Sequence, residues 1–224
     1  MKRLLALMLC GLLLCFPVQA AEAERLLALT FDDGPSGRFT RELLRGLDER
    51  GVKATFLLCG YRMEQYPKLT RQIHDAGHEI GLHGYSHKAM DQMCQRDIYR
   101  EIEQTMALLP PGCQVRFLRP PGGQCGPVTK AAAREQGLSL LCWSVDPRDW
   151  ATSDASAIEA QVVYKVRDGD VILLHDMSDS SVKAALAIVD NLLAQGFRFV
   201  TVSELAQAKG ITMTPGQMYC RFDG

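Results

Sequence analysis

The sequence predicts an α/β fold with about seven parallel strands, and two observations support this prediction. Short, nearly continuous apolar runs alternate along the chain with longer stretches in which apolar residues recur every three or four positions. Such alternation is typical of a parallel sheet that helices cover on both faces. In addition, Gly51 and Gly77 follow helical stretches, as glycines at helix C-termini do. The pattern is compatible with a closed barrel and with an open doubly wound sheet.

Each predicted element follows from its local pattern of apolar residues. The apolar runs predict seven strands, at 26–31, 54–59, 78–82, 115–118, 138–145, 171–174 and 197–202. Residues with helical spacing predict the helices between them, at 38–50, 63–76, 94–109, 127–136 and 182–195. Asp154 or Ser156 can cap a further helix that runs to residue 166, and Ser203 is expected to begin the last helix.

Residues 1–20 have the features of a secretory signal peptide. Lys2 and Arg3 provide the basic start, 4–16 is apolar, and 18–20 ends in small residues suited to cleavage. The apolar run is shorter than the roughly 20 residues that a membrane-spanning helix needs. We therefore expect a signal peptide at 1–20, one domain at 21–224, a secreted or periplasmic protein, and no stable membrane anchor after cleavage.

The charge of the chain argues against nucleic acid as a partner. The sequence has 25 basic and 26 acidic residues, and loss of Lys2 and Arg3 with the signal makes the net charge about −3. A mildly acidic domain of this kind is not expected to bind nucleic acid or an anionic membrane surface.

The cysteine content predicts disulfide bonds in an exported protein. Six cysteines remain after signal cleavage: Cys59, Cys94, Cys113, Cys125, Cys142 and Cys220. Their spacing does not fix the pairing. Cys59 and Cys142 lie in apolar strand-like runs, where buried free thiols are an alternative.

Polar clusters follow the predicted strands where each strand ends. In parallel α/β folds the carboxyl ends of the strands form the rim on which active sites are built. Five strands contribute to this rim, through Asp32 and Asp33, His83, Arg119, Asp146 to Asp149, and His175. We therefore expect these side chains to meet in one site.

His83 and His87 are candidate metal ligands. They lie four positions apart in the run HGYSH, so on one helical turn both imidazoles face the same way. With one carboxylate of the adjacent Asp32 and Asp33 they can share a metal and leave coordination positions open, as in catalytic sites. The other carboxylate is then free to take a proton from water. Two other histidines are expected to be surface or structural residues, His74 and His78.

Arg119 precedes the run Pro-Pro-Gly-Gly at the end of the fourth predicted strand. Its planar guanidinium can pair with a catalytic carboxylate and orient it. The backbone N–H groups of Gly122 and Gly123 are unshielded and can face a developing oxyanion, although a plain loop is equally compatible with this pattern.

His175 ends the sixth predicted strand and is a candidate general acid. Asp149, in the run DPRDW, can hold such a histidine in one tautomer and raise its pKa. Trp150 can form the wall of an apolar pocket.

Five motifs in this order, TFDDGP, HGYSH, RPPGG, DPRDW and LLHD, make the chain similar to the polysaccharide deacetylases of carbohydrate esterase family 4, the NodB homology domain. The resemblance covers residues 26–205. It implies that 21–224 is a catalytic domain with a deformed (β/α) barrel, usually of seven strands. It also implies a hydrolase that acts on carbon–nitrogen bonds other than peptide bonds, uses a divalent metal, most often zinc, and removes acetyl groups from an acetylated polysaccharide or oligosaccharide of the chitooligosaccharide or peptidoglycan class.

The resemblance also implies a role for each matching residue. It implies that Asp32 is the general base and that Asp33, His83 and His87 are the three metal ligands. It implies that Arg119 holds the base and that Asp149 tunes the catalytic histidine, His175. Trp150 and Leu173 correspond to the two walls of the acetyl pocket. Two positions depart from the family. Gly122 replaces a tyrosine but keeps the N–H that serves as oxyanion donor, and Gly84 replaces a serine or threonine, which predicts the loss of a hydrogen bond that fixes the loop.

Two other functions are compatible with the same motifs. The site could release acetate from O-acetyl groups of xylan, or the chain could be a non-catalytic carbohydrate-binding protein of the same fold. A pure binding protein needs neither a base nor an acid, so Asp32 and His175 argue for the enzyme.

Overall fold

The computed structural model of the chain describes residues 24–223, so the predicted signal peptide at 1–20 lies outside the described residues. In this part of the chain eight strands form one sheet: β1 (Arg25–Asp32), β2 (Thr55–Leu58), β3 (Glu79–Leu82), β4 (Phe117–Leu118), β5 (Ser139–Leu141), β6 (Val171–His175), β7 (Phe197–Val200) and β8 (Met218–Tyr219). Eight α-helices of the same described range accompany them: α1 (Arg38–Glu49), α2 (Gly60–Gln65), α3 (Pro67–Asp75), α4 (Gln95–Met106), α5 (Pro127–Glu135), α6 (Ala155–Val163), α7 (Asp179–Ala194) and α8 (Val202–Ala208). Within 24–223, no helix has both the length and the apolar character needed to span a membrane.

The sheet curls around β1, which pairs in parallel with β2, β6 and β7. From β2 it continues through β3, β4 and β5 to β8, again with parallel pairs only. Beyond β5, Val145 forms a parallel bridge with Ile172 of β6, and the Leu173 N–H donates to the Val145 carbonyl at 2.9 Å. The sheet thus returns towards its first strands. The predicted deformed (β/α) barrel with about seven parallel strands is confirmed, and the two-residue β8 adds a strand that the sequence pattern does not predict.

Most predicted elements begin and end within three residues of the observed ones, and three of the differences are as follows. The helix predicted at 63–76 is two helices, because Pro67 lacks an N–H and disfavours helical geometry at Tyr66, whose φ is −128°. The strand predicted at 138–145 ends at Leu141, and Val145 forms an isolated β-bridge with Ile172 beyond it. The last helix is capped by Thr201 in a capping box rather than begun by Ser203.

Alternation along β1 decides which of its side chains enter the barrel. Leu27, Leu29 and Phe31 pack with the helices α1 and α7 in the largest apolar cluster, whereas Leu26 and Ala28 belong to a second cluster that also includes Phe222. Because successive strand residues point to opposite faces, Thr30 and Asp32 share the face of Leu26 and Ala28. This places the Asp32 carboxylate in the barrel interior, at the end of the barrel formed by the carboxyl ends of the strands.

The six cysteines of the described chain are free thiols in this structure: Cys59, Cys94, Cys113, Cys125, Cys142 and Cys220. Cys59 is buried, as its apolar run suggests, and Cys142 is partly buried. Disulfide formation therefore stays a prediction.

Candidate active site

Asp33, His83 and His87 form a cluster that can hold a metal ion at the carboxyl ends of β1 and β3. One potential ligand atom from each lies within 4.8 Å of the others. Asp33 Oδ1 is 3.3 Å from His83 Nε2 and 2.9 Å from His87 Nε2. Asp33 and His87 have φ values of 71° and 58°, in the left-handed region that non-glycine residues rarely occupy. The turn after β1 thus directs Asp33 into the same site as Asp32, as the sequence predicts.

The hydrogen bonds around these residues fit a cation. Nδ1 of His83 lies 2.7 Å from the Arg119 carbonyl oxygen and donates to it, so Nε2 is the nitrogen left to face Asp33. Asp33 Oδ1 is buried and accepts no hydrogen bond. Burial alone raises the pKa of Asp33, but its contacts with His83 and His87 hold that pKa well below its usual range. An ionised carboxylate and two imidazoles are a donor set that suits a divalent cation.

The HGYSH run forms a loop and not a helical turn, so the predicted helical placement of His83 and His87 is wrong. Glu101 of α4 fixes this loop, because its Oε2 accepts the N–H groups of Tyr85 and Ser86, both at 2.7 Å. Its Oε1 also accepts the Ser86 hydroxyl at 2.6 Å. These three hydrogen bonds fix the loop even though Gly84 has no hydroxyl side chain, unlike the serine or threonine at that position in the family.

Gly84 itself is required by the loop. Its φ is 75°, and a Cβ there would lie 2.8 Å from Met90 Cε and 3.2 Å from Glu101 Oε2. A larger residue would therefore be strained and would also disturb the carboxylate that fixes the loop.

Asp32 is held by Arg119, as predicted, in the barrel interior. Arg119 is fully buried and Asp32 is 3% exposed. Arg119 Nη1 donates to Asp32 Oδ1 at 2.5 Å and to Thr30 Oγ1 at 2.9 Å, and Nη2 donates to the Cys142 carbonyl at 2.8 Å. Asp32 Oδ2 remains directed towards His83 Nε2, at 3.7 Å. One carboxylate oxygen is thus anchored, and the other faces the cluster.

Asp149 holds His175, also as predicted. Asp149 is buried, and its Oδ1 lies 2.7 Å from His175 Nδ1 while its Oδ2 accepts the His175 backbone N–H at 2.9 Å. His175 Nε2 points back to the cluster, 4.0 Å from Asp33 Oδ2. Burial lowers the pKa of His175, but the bond to Asp149 and the charges of Asp32 and Asp33 outweigh it and raise the pKa to about 9. A pKa above neutral favours the imidazolium form of His175, in which Nε2 carries a proton on the side of the cluster.

The turn that carries the two aspartates is supported by Asp176, which sequence reasoning missed. Asp176 is fully buried, its Oδ2 accepts the Thr40 hydroxyl, and its carbonyl accepts the Ser36 hydroxyl. A Cβ on Gly34 would lie 2.7 Å from Asp176 Oδ1, so only glycine fits in this turn. The motif LLHD contains two adjacent polar residues, His175 and Asp176. The sequence alone does not show which of the two side chains faces the site, so the role of Asp176 could not be predicted.

These side chains line one cavity of about 970 Å³. The predicted residues on its wall are Asp32, Asp33, His83, His87, Gly122, Asp149, Trp150, Leu173 and His175. The wall also includes residues that the sequence did not indicate, among them Trp143, Met177 and Ser178. Trp150 is 62% exposed at the mouth, Leu173 is buried, and Gly122, with a φ of 69°, has no atom near the position of a Cβ. The two remaining histidines lie elsewhere: His78 is buried and accepts the Ala54 N–H, and His74 lies on α3.

The comparisons with known proteins agree with this geometry. A sequence profile described as polysaccharide deacetylase matches residues 19–141. The chain is also 37% identical over 192 residues to the peptidoglycan-N-acetylglucosamine deacetylase of Bacillus cereus, which covers 83% of this chain and 90% of that protein. The chain belongs to the polysaccharide deacetylase family. As a member, it is a hydrolase of carbon–nitrogen bonds, so the predicted family and enzyme class are confirmed.

Similar proteins differ in length and in activity. The chain is 33% identical over 190 residues to the peptidoglycan-N-acetylglucosamine deacetylase PgdA of Listeria monocytogenes, and it spans 40% of that protein's length. A solved structure of a family 4 acetyl xylan esterase from Clostridium thermocellum, in complex with a cobalt ion, superposes with a TM-score of 0.82. That structure is 33% identical, and the match covers 88% of this chain and 98% of that one.

Proposed function

We propose that this polysaccharide deacetylase removes the acetyl group from N-acetylglucosamine units of peptidoglycan or a related oligosaccharide. The observation that carries the proposal is the placement of two opposite proton carriers at one cluster. Asp32, anchored by Arg119, offers a free carboxylate oxygen, and His175, anchored by Asp149, offers a proton. Amide hydrolysis needs both, because water must lose a proton and the departing amine must gain one.

Asp32 accepts the proton of the attacking water in this proposal. Arg119 holds the carboxylate in place and restrains its rotation. His175 then donates its Nε2 proton to the sugar nitrogen as the bond to the acetyl carbon breaks. Asp149 keeps Nδ1 protonated throughout, so that Nε2 is the nitrogen that exchanges its proton.

Asp33, His83 and His87 would hold the metal, and we propose that it is zinc. Two imidazoles and one carboxylate form a donor set that zinc accepts, with positions left open. When bound, such a cation supplies Lewis-acid polarisation of the acetyl carbonyl and lowers the pKa of water. The relative with cobalt supports a divalent ion in this family.

The cavity walls suit a small acyl group attached to a sugar. We propose that Leu173 and Trp150 receive the acetyl methyl, and that the Gly122 N–H donates to the oxyanion. Gly122 has no side chain and open space beside it, and we propose that the polymer lies across the mouth at this point. We also propose export, supported by the signal-like residues 1–20, because peptidoglycan lies outside the cytoplasm.

Acetate release tests this proposal. The metal-loaded protein is assayed on peptidoglycan, N-acetylated chitooligosaccharide and acetylated xylan, and the metal content is measured on the same sample. We expect turnover on the N-acetylated substrates, its loss with a chelator, and its return with Zn²⁺. Activity on xylan alone would instead support the O-acetyl esterase function.

Two variants assign the roles against a matched control. Asp32→Asn removes the base at nearly constant shape, so we expect acetate release to fall at least about 100-fold while metal content is kept. His87→Gln should lower the metal content, whereas His74→Gln, remote from the site, should change neither quantity. Full turnover by Asp32→Asn, or metal binding unaffected by His87→Gln, would contradict the proposal.

A further inference from the structure

Two cysteines, Cys142 and Cys220, lie next to each other directly after the paired strands β5 and β8. This is the end of the sheet that carries the candidate active site. β8 pairs in parallel with β5 so that Leu140 faces Met218 and Leu141 faces Tyr219. The Cys142 N–H donates to the Tyr219 carbonyl at 2.7 Å, so the pairing continues past the two strands. The next pair in this register is Cys142 and Cys220.

The two thiols lie on the same face of the sheet. Leu140 and Met218 pack in one apolar cluster, while Leu141 and Tyr219 pack in another, on the opposite face. By alternation Cys142 and Cys220 return to the face of Leu140 and Met218. Burial and the neighbouring Cys142 thiol both raise the pKa of Cys220, to about 11.

This arrangement meets the distance requirement of a disulfide. Paired strands lie about 4.8 Å apart, and the Cα atoms of bonded cysteines are usually about 4.4–6.8 Å apart. Cys125 is another cysteine near Cys142, and the pKa of its thiol is raised by burial and, to a lesser extent, by Cys142. It belongs to the loop before α5, however, and no strand pairing holds it in register with Cys142.

We propose that Cys142 and Cys220 form a disulfide bond when the protein meets a disulfide oxidant such as oxidised glutathione. The exposed Cys220 thiol loses its proton and attacks one glutathione sulfur, which releases one molecule of reduced glutathione and leaves a mixed disulfide. The Cys142 thiol then loses its proton and attacks the Cys220 sulfur, which releases the second reduced glutathione. The two protein thiols lose two electrons, and the oxidised glutathione gains them.

The bond would fasten the end of the chain where it closes the barrel. After Cys220, Arg221 bridges to Asp170 and the Phe222 N–H donates to the Gly169 carbonyl at 2.9 Å, next to the start of β6. Phe222 is fully buried. The Cys142 carbonyl also accepts a hydrogen bond from Arg119, the residue that holds Asp32. The disulfide bond would therefore restrain a hydrogen-bond partner of Arg119.

Oxidation of the purified full chain by oxidised glutathione, followed by non-reducing peptide mapping, tests the proposal. We expect the loss of two free thiols per chain and a linked peptide pair that contains Cys142 and Cys220. The loop closed is roughly 80 residues, so the melting temperature should rise by about 5–10 °C and return on reduction. Neither readout depends on deacetylase activity, so failure here is distinct from failure of the proposed function.

Cys220→Ser and Cys94→Ser form a matched pair of exposed variants. Cys220→Ser should lose both the linked peptide and the thermal shift, whereas Cys94→Ser should keep both. A link between Cys125 and Cys142, or full retention of free thiols in the wild type after oxidation, would overturn the proposal. So would a thermal shift that Cys220→Ser retains.

Discussion

Removal of the Arg119 guanidinium should destabilise the whole fold, because a buried carboxylate would lose its partner. Arg119→Met keeps a long unbranched side chain but leaves Asp32, 3% exposed, without a cation. Breaking a buried ion pair from one side typically costs about 3–5 kcal/mol. Thr30 and the Cys142 carbonyl also lose a donor. We therefore expect the free energy of unfolding to fall by about 4 kcal/mol.

A double-mutant cycle separates the ion pair from general damage to the core. Urea unfolding followed by circular dichroism is measured for Asp32→Asn, Arg119→Met and the double variant. Asparagine carries no charge, so in the Arg119→Met background it should restore about 1–3 kcal/mol, although it destabilises the wild type. The more exposed pair of Arg50 and Asp190, with two bonds of 2.7 Å, provides the control, and Arg50→Met should cost less than about 1 kcal/mol. Additive effects of Asp32→Asn and Arg119→Met would refute the reasoning.

Three further predictions follow from individual contacts. Asp149→Asn should lower the pKa of His175 from about 9, so kcat should fall about 100-fold and its alkaline decline should begin at lower pH; an unchanged pH profile of acetate release would contradict this. Burial and, to a lesser extent, Lys53 lower the pKa of His78 from 6.5 to about 4, so the unfolded chain takes up its proton first as pH falls. Stability should therefore be complete above about pH 6.5 and drop by about 2 kcal/mol by pH 5, and urea unfolding of His78→Asn, which keeps an acceptor, should lack this drop. Glu101→Ala should weaken zinc binding about tenfold in calorimetric titration, because the loop between the two histidines loses three bonds, whereas the same affinity loss in Glu103→Ala would contradict a specific role.

The strands and the rim could be predicted from the sequence because each depends on a short local pattern. Apolar runs identify buried strands, and the polar residue at each run's end must then lie at the common edge of a parallel sheet. Asp32, His83, Arg119 and His175 follow this rule. Pro67 also carries a local signal, since a proline inside a helical pattern marks a boundary.

Other parts depend on contacts between distant segments and carry no local signal. Glu101 is one of several acidic residues on α4, and nothing in its neighbours shows that it binds the loop 15 residues earlier. Asp176 is buried beneath a turn that lies about 140 residues earlier in the sequence. The hydroxyls of Ser36 and Thr40 donate hydrogen bonds to it there and replace the water that an aspartate usually contacts. β8 is two residues long, too short for any periodicity, and is defined only by its pairing with β5.

The register of the sheet explains why motifs far apart in sequence meet with the spacing that the chemistry needs. Asp32 pairs directly with His175 between β1 and β6, which sets the proposed base beside the proposed acid. Leu82 pairs with Leu118 between β3 and β4, so the next two residues, His83 and Arg119, are also neighbours. Arg119 then acts twice: its carbonyl lies against Nδ1 of His83, a proposed metal ligand, and its side chain holds Asp32, the proposed base. A one-residue slip of β4, the shortest of the strands that carry site residues, would therefore displace both groups together. The distance between Asp32 and His83 is set by backbone pairing, whereas Asp33 and His87 are placed by the turn after β1 and by the HGYSH loop.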